Sequence, residues 1–142
     1  MEFFEPFEVA GYPAYYQAPG YNRNWITPLN LANRYHFSYK ILASENPYVV
    51  DMPTWLKNNA NLADKSSATQ VVDLFINYFL AVEINQERKD FYLNNVFLDD
   101  FSAYNWTIEW NKYIGGGQDT IVKLRLETLV SKMMQTPEYQ IF

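Results

Sequence analysis

The chain contains no cysteine. That absence excludes disulfides, zinc–thiolate sites, iron–sulfur clusters and thiol nucleophiles together. A single histidine, His36, is present. Any Ser-His-Asp triad or imidazole metal site must use it. No phosphate-loop, dinucleotide-binding, zinc-protease or serine-hydrolase signature occurs, and the run Gly115-Gly116-Gly117 lacks the lysine that a phosphate loop needs. No cofactor or metal is therefore expected. Positive charge is scarce: 11 Lys and Arg stand against 16 Asp and Glu, a net charge of −5. Non-specific binding to nucleic acid or to an anionic membrane is not expected of such a balance. No apolar run is long enough to span a bilayer. The start, Met1-Glu2-Phe3-Phe4-Glu5, is acidic and short of apolar residues, unlike a signal peptide. The expectation is a cytoplasmic chain, or part of something larger.

What the chain does hold is apolar and aromatic. Its 142 residues suit a single domain, 1–142, able to bury roughly two-thirds of its unfolded surface. Hydrophobic residues make up 49%, which excludes general disorder, and aromatics reach 18%. Residues 1–27 form a distinct arm. Pro6, Pro13, Pro19, Gly11 and Gly20 interrupt any helical or alternating period. The arm is nonetheless rich in rings, and a solvated linker would be polar. It must pack onto something or bind something, which makes it a candidate functional loop.

The body, 28–142, reads as helical. Thr27-Pro28 is a helix start, with Thr as N-cap and Pro at the first position. That helix is predicted to run to about Ala43, with Leu31, Tyr35, Tyr39 and Leu42 on its apolar stripe and Leu29, Ala32 and His36 beside it. A short helical turn is expected over 53–58. Ser67 followed by Gln70 reads as a capping box, opening a helix over about 68–82. Val71, Leu74, Phe75, Tyr78 and Val82 are its main stripe, widened by Val72, Ile76 and Phe79. Asn85 is placed to cap a helix over about 86–95 that buries Phe91 and Tyr92. Trp106, Ile108 and Trp110 alternate, so 104–112 is open between strand and helix. Asp119 is placed to cap the last helix, about 120–135, with Val122, Leu126, Leu129 and Met133 as its stripe and Pro137 after its stop. The expected fold is all-α: four or five helices in an irregular helical bundle, with a long aromatic-rich N-terminal arm.

Several residues invite a sharper reading. Tyr12, Tyr15, Tyr16, Tyr21 and Trp25, with Arg23 and two asparagines between them, have the composition of a saccharide site. Aromatic faces supply apolar contact while amide and guanidinium groups bond hydroxyls. The plainer alternative is that these rings are the arm's own core, or its interface to another domain. His36 reads as a lone general base or as a partly buried helix residue; no acid at helical spacing supports the first. Asp99-Asp100 with Glu109 could supply a carboxylate pair for glycoside hydrolysis, or a solvated loop and a cap. Arg34 and Arg125 lie on partly apolar helix faces and are expected to pair with a buried carboxylate or carbonyl in a structural role. Asn105-Trp106-Thr107 fits a glycosylation triplet that also arises by chance.

Two stretches carry a resemblance. The first reads Phe4-Glu5-Pro6-Phe7-Glu8-Val9-Ala10-Gly11-Tyr12-Pro13, then Trp25-Ile26, then Asn33-Arg34 in the following helix; the second is Thr136-Pro137-Glu138-Tyr139-Gln140. Together they resemble the C-terminal portion of the bacterial family called domain of unknown function 1800. That family shows a Pro-Pro-Asn-Val-x-Gly-Trp string, a following Trp, an Asn-Arg helix and a closing Ser-Pro-Glu-Phe-Gln. Here Pro6-Phe7-Glu8 replaces the Pro-Pro-Asn triplet, and Tyr12 the tryptophan. The resemblance implies a C-terminal part of a larger, often exported protein, with Glu138 as a polar partner kept in the closing motif. It implies no reaction. An arm that normally packs on an N-terminal domain would leave its rings exposed, which favours a homo-oligomer. The leading functional expectation is a non-enzymatic helical domain acting by packing or partner binding. A carbohydrate-binding module using the arm comes second, and a hydrolase using His36 or the acidic residues third.

Overall fold

Short polar side chains start the helices of this chain. In the computed structural model, which describes residues 8–9, 12–13, 27–42 and 49–140, Thr27 Oγ1 accepts from Asn30 N at 3.2 Å and opens α1 (Pro28–Leu42). After α2 (Met52–Asn58), Ser67 accepts from Gln70 N and opens α3 (Ala68–Phe79). Asn85 Oδ1 accepts from Arg88 N at 2.9 Å and opens α4 (Gln86–Asp90), which continues without a break into a π-helical segment, Phe91–Phe97. Ser102 caps α5 (Ala103–Ile114), and α6 (Thr120–Met134) and α7 (Pro137–Gln140) complete the order. Each such bond satisfies an amide that the helix cannot pair internally. At α6 the Asp119 side chain makes no cap bond, contrary to expectation.

The chain is all-α. The described residues hold seven α-helices and the π-helical segment rather than four or five helices. The additional ones are short, α2 and α7, or lie where residue spacing leaves strand and helix open, α5. One antiparallel pair, Glu8–Val9 with Tyr12–Pro13, joins Glu8 to Pro13 and Val9 to Tyr12. At two residues a side it does not alter the class. The structure divides into two units, Met1–Phe37 and Ser38–Phe142, with the division inside α1.

The core of the second unit is built on α6. Val122, Leu126, Leu129 and Met133 are all buried, as their spacing predicts, and Val130 and Met134 widen the face. Against it pack α2 through Met52 and Leu56, α3 through Val71, Val72 and Phe75, the π-helical segment through Tyr92, Val96 and Phe97, and α5 through Trp106 and Trp110. Trp106 and Trp110 stack at 5.7 Å and 25°, a helical i, i+4 pair rather than the alternation of a strand. The last turns of α1 join through a polar seam. Buried Ser38 and Ser131 meet Oγ to Oγ at 3.3 Å, and Gln135 Nε2 donates to both. Two small side chains let the helices approach while the amide satisfies their hydroxyls.

Three expected faces differ. In α1, Tyr39 and His36 are exposed and Ser38 is the buried residue. In α3, Tyr78 is exposed, takes a hydrogen bond from Asn61 Nδ2 and lies edge-on to Trp55. The helix also ends at Phe79, because Leu80 turns extended and drops into the core. In the third case Tyr92 is fully buried while Phe91 is 41% exposed. The wider π turn places Tyr92, Val96 and Phe97 inward, a spacing of four and five rather than three and four.

The three glycines close α5. Gly116 N donates to Tyr113 O and Gly117 N to Lys112 O, with Gly116 at φ +89°, a glycine C-terminal motif. Replacing Leu126 by alanine is expected to cost about 2–5 kcal/mol in urea unfolding, because its neighbours cannot collapse onto the space. Gly116→Ala is expected to cost about 1 kcal/mol, since a Cβ there has room but the left-handed backbone penalises it.

Candidate functional site

After the π-helical segment the chain turns sharply into α5. Leu98 N reaches back to Leu93 O, and then Asp99 and Asp100 adopt φ +52° and +60°. Two consecutive non-glycine residues in the left-handed region are uncommon and cost strain. Local bonds hold them there: Asp100 N donates to Asn94 O at 2.8 Å, and Asp100 Oδ1 accepts from Asn95 Nδ2 at 3.0 Å. The turn leaves a pocket of about 200 Å³ between itself and the first turns of α5 and α6. Buried Phe97, Leu98 and Trp106 form its floor, and exposed Phe101 and Ile121 its rim. Trp106 is locked in place by Nε1 donating to Lys65 O at 3.1 Å, and its ring contacts Phe97 at 4.7 Å.

Four polar residues also line the pocket: Ser102, Asn105, Glu109 and Arg125. Glu109 is held by Lys112 Nζ at 2.6 Å. Arg125 is 21% exposed and lies over the Phe101 ring at 5.4 Å, with its NH1 3.4 Å from Asp99 Oδ2. The arginine expected to have a structural role therefore stands at the mouth of the pocket, and its partner carboxylate is exposed rather than buried. Asp99, Asp100 and Glu109 each have a separate partner, in Arg125, Asn95 and Lys112. Their chemistry is that of ion pairs and turn bonds.

A broader concavity of about 680 Å³ lies beside α4 and α7. At its centre Arg88 grips Glu138 with both ends of its fork, Nε to Oε1 at 3.1 Å and NH2 to Oε2 at 3.3 Å. The guanidinium also lies 5.1 Å from both the Phe91 and Tyr92 rings, and Tyr92 OH donates to Thr136 Oγ1 at 3.2 Å. Such a bidentate, stacked arginine is a latch between α4 and the chain's last described turn. Glu138 thus pairs with Arg88. No local pattern points to Arg88, because its partner is fifty residues away.

The remaining candidates belong to the first unit. His36 and Arg34 lie on α1 within the first unit, and both are exposed. Tyr12 lies in the Tyr12–Pro13 strand, and its side chain, with Tyr15, Tyr16, Tyr21, Arg23 and Trp25, falls outside the described residues. Among the described residues no group of three His, Asp or Glu is placed to hold a metal ion, and no helix is long and apolar enough to cross a membrane. No family model, no curated protein and no solved structure matches this chain.

Two carboxyls in this unit have opposite shifts. Burial pushes Glu127 above its usual 4.5, against the pull of Lys123 at 3.8 Å, and Asp119 and Asp51 add to the push. Among the described residues its Oε1 has no hydrogen-bond partner. Glu138 is also penalised by burial, but its own backbone amide, Arg88 and Thr136 outweigh that and hold it below 4.5. Linkage gives the signs. The Glu138 contribution is present above the unfolded value and is lost as pH falls through the folded one. The Glu127 penalty is absent in acid and appears as pH rises from the unfolded value through the folded one. Thermal melts across pH are expected to show Glu138→Gln below wild type at neutrality, with the gap closing in acid. Glu127→Gln is expected above wild type at neutrality, with that gap also closing in acid.

Proposed function

We propose that this chain is a non-enzymatic helical domain that acts by binding a partner, and that it is the C-terminal part of a larger protein of the kind its two sequence signatures resemble. The observation that carries the binding reading is the apolar pocket between the π-helical segment, α5 and α6. Its volume, about 200 Å³, falls below the roughly 300–1,000 Å³ typical of sites for drug-sized ligands. It suits one large side chain of a partner. Two exposed apolar side chains, Phe101 and Ile121, stand on its rim. Apolar side chains grouped around a pocket mark an interaction surface more often than scattered ones do.

The hydrolase reading has weaker support. A glycosidase needs two carboxyl groups facing one bond, one of them available as an acid. Here Asp99 and Glu109 are each tied to a cation and Asp100 to an amide. The saccharide reading rests on the arm's rings and makes a distinct demand, binding that requires Tyr12 to Trp25. A titration separates the readings. Indole and p-cresol, analogues of large side chains, are expected to shift backbone amide resonances of Phe97, Leu98, Phe101, Asn105 and Ile121. Shifts confined to 12–25 on adding a soluble oligosaccharide, with none at the pocket from either probe, would replace partner binding by the saccharide module.

A further inference from the structure

Arg125 is a poor fit to a purely apolar occupant. Its guanidinium offers five N–H donors. Among the described residues its ion-pair partner is Asp99, with NH1 3.4 Å from Oδ2. Asp99 is 70% exposed, on a turn held in the left-handed region by its neighbours' bonds rather than by its own carboxylate. A pair with so exposed a carboxylate is weak and screened by solvent. Meanwhile stacking on Phe101 fixes the arginine beside the pocket mouth. The first turns of α5 and α6, represented by Ser102 and Ile121, line the same pocket. The positive ends of both helices therefore add to the arginine's preference for an anion.

We propose that the pocket captures the C-terminal residue of a partner polypeptide: a large apolar side chain enters between Trp106 and Ile121, and Arg125 pairs with the free α-carboxylate. This rests on the partner-binding reading of the same pocket. A single-residue volume with one cation at its lip matches a chain terminus, which presents one side chain and one carboxylate a few bonds apart. In this arrangement Asp99 is the resident carboxylate that the partner's carboxylate displaces. Recognition is then a competition between two anions for one fork.

Amide-shift titrations with acetyl-Gly-Gly-Phe, its C-terminal amide and 3-phenylpropionate test this, on the wild-type chain and on Arg125→Gln and Asp99→Asn. The free-acid peptide is expected to bind at least about tenfold more tightly than its amide, with the advantage falling as salt is raised. Arg125→Gln is expected to erase the advantage. Asp99→Asn is expected to tighten the acid several-fold while leaving the amide unchanged, an effect that loss of fold cannot imitate. Equal binding of acid and amide at the pocket overturns carboxylate capture and leaves the partner-binding reading standing. Charge-dependent binding of 3-phenylpropionate without binding of the peptide overturns the polypeptide terminus in favour of a small acid. No binding of any of the three, together with silence toward indole and p-cresol, overturns both.

Discussion

Burial of the apolar face of α6 is the constraint on which the helical body depends. Leu126, Leu129 and Met133 are entirely removed from solvent, and α2, α3, α5, α7 and the π-helical segment all pack on that helix. Dispersion and apolar burial are additive over such a surface but demand close fit, so each surrounding helix is placed by what α6 leaves open. The polar seam of Ser38, Ser131 and Gln135 shows the same demand in another form. Where α1 meets α6 the contact is made with the smallest hydroxyl side chains, and one amide completes their bonds.

The π-helical segment departs from regular geometry and organises the rest of the unit. A π turn spends an extra residue and shifts the register of the residues after it. Here it buries Tyr92, Val96 and Phe97 together and delivers the chain to Asp99 and Asp100 in a strained turn. The pocket beside Trp106 is a product of this detour. Its floor is core, its rim is solvent, and the arginine at its mouth comes from α6. Strain, pocket and cation therefore meet at one place.

Charge plays a smaller role and divides into two kinds. The Arg88–Glu138 pair is bidentate, stacked on two rings and flanked by the Tyr92–Thr136 bond, so it holds the last described turn against the body. The Arg125–Asp99 pair is longer, and its carboxylate faces solvent. Geometry separates a latch from an exchangeable contact even though both read as an arginine and an acid.

Helix positions and caps are legible from the chain alone. The all-α class, the caps at Thr27, Ser67 and Asn85 and the stripe of α6 arise from interactions within one or two turns, and those depend on sequence spacing. Faces are less legible wherever a ring is amphipathic: Tyr39 and Tyr78 can end in water as readily as in the core, and their neighbours decide. The Trp106–Trp110 pair fits two periodicities over so short a stretch. The phase of Tyr92, the Arg88–Glu138 latch and the pocket at Arg125 join residues separated by tens of positions, or rest on a register shift that no local propensity encodes. Short-range bonding is written in residue order, whereas packing and long-range pairing depend on which surfaces meet after the chain has folded.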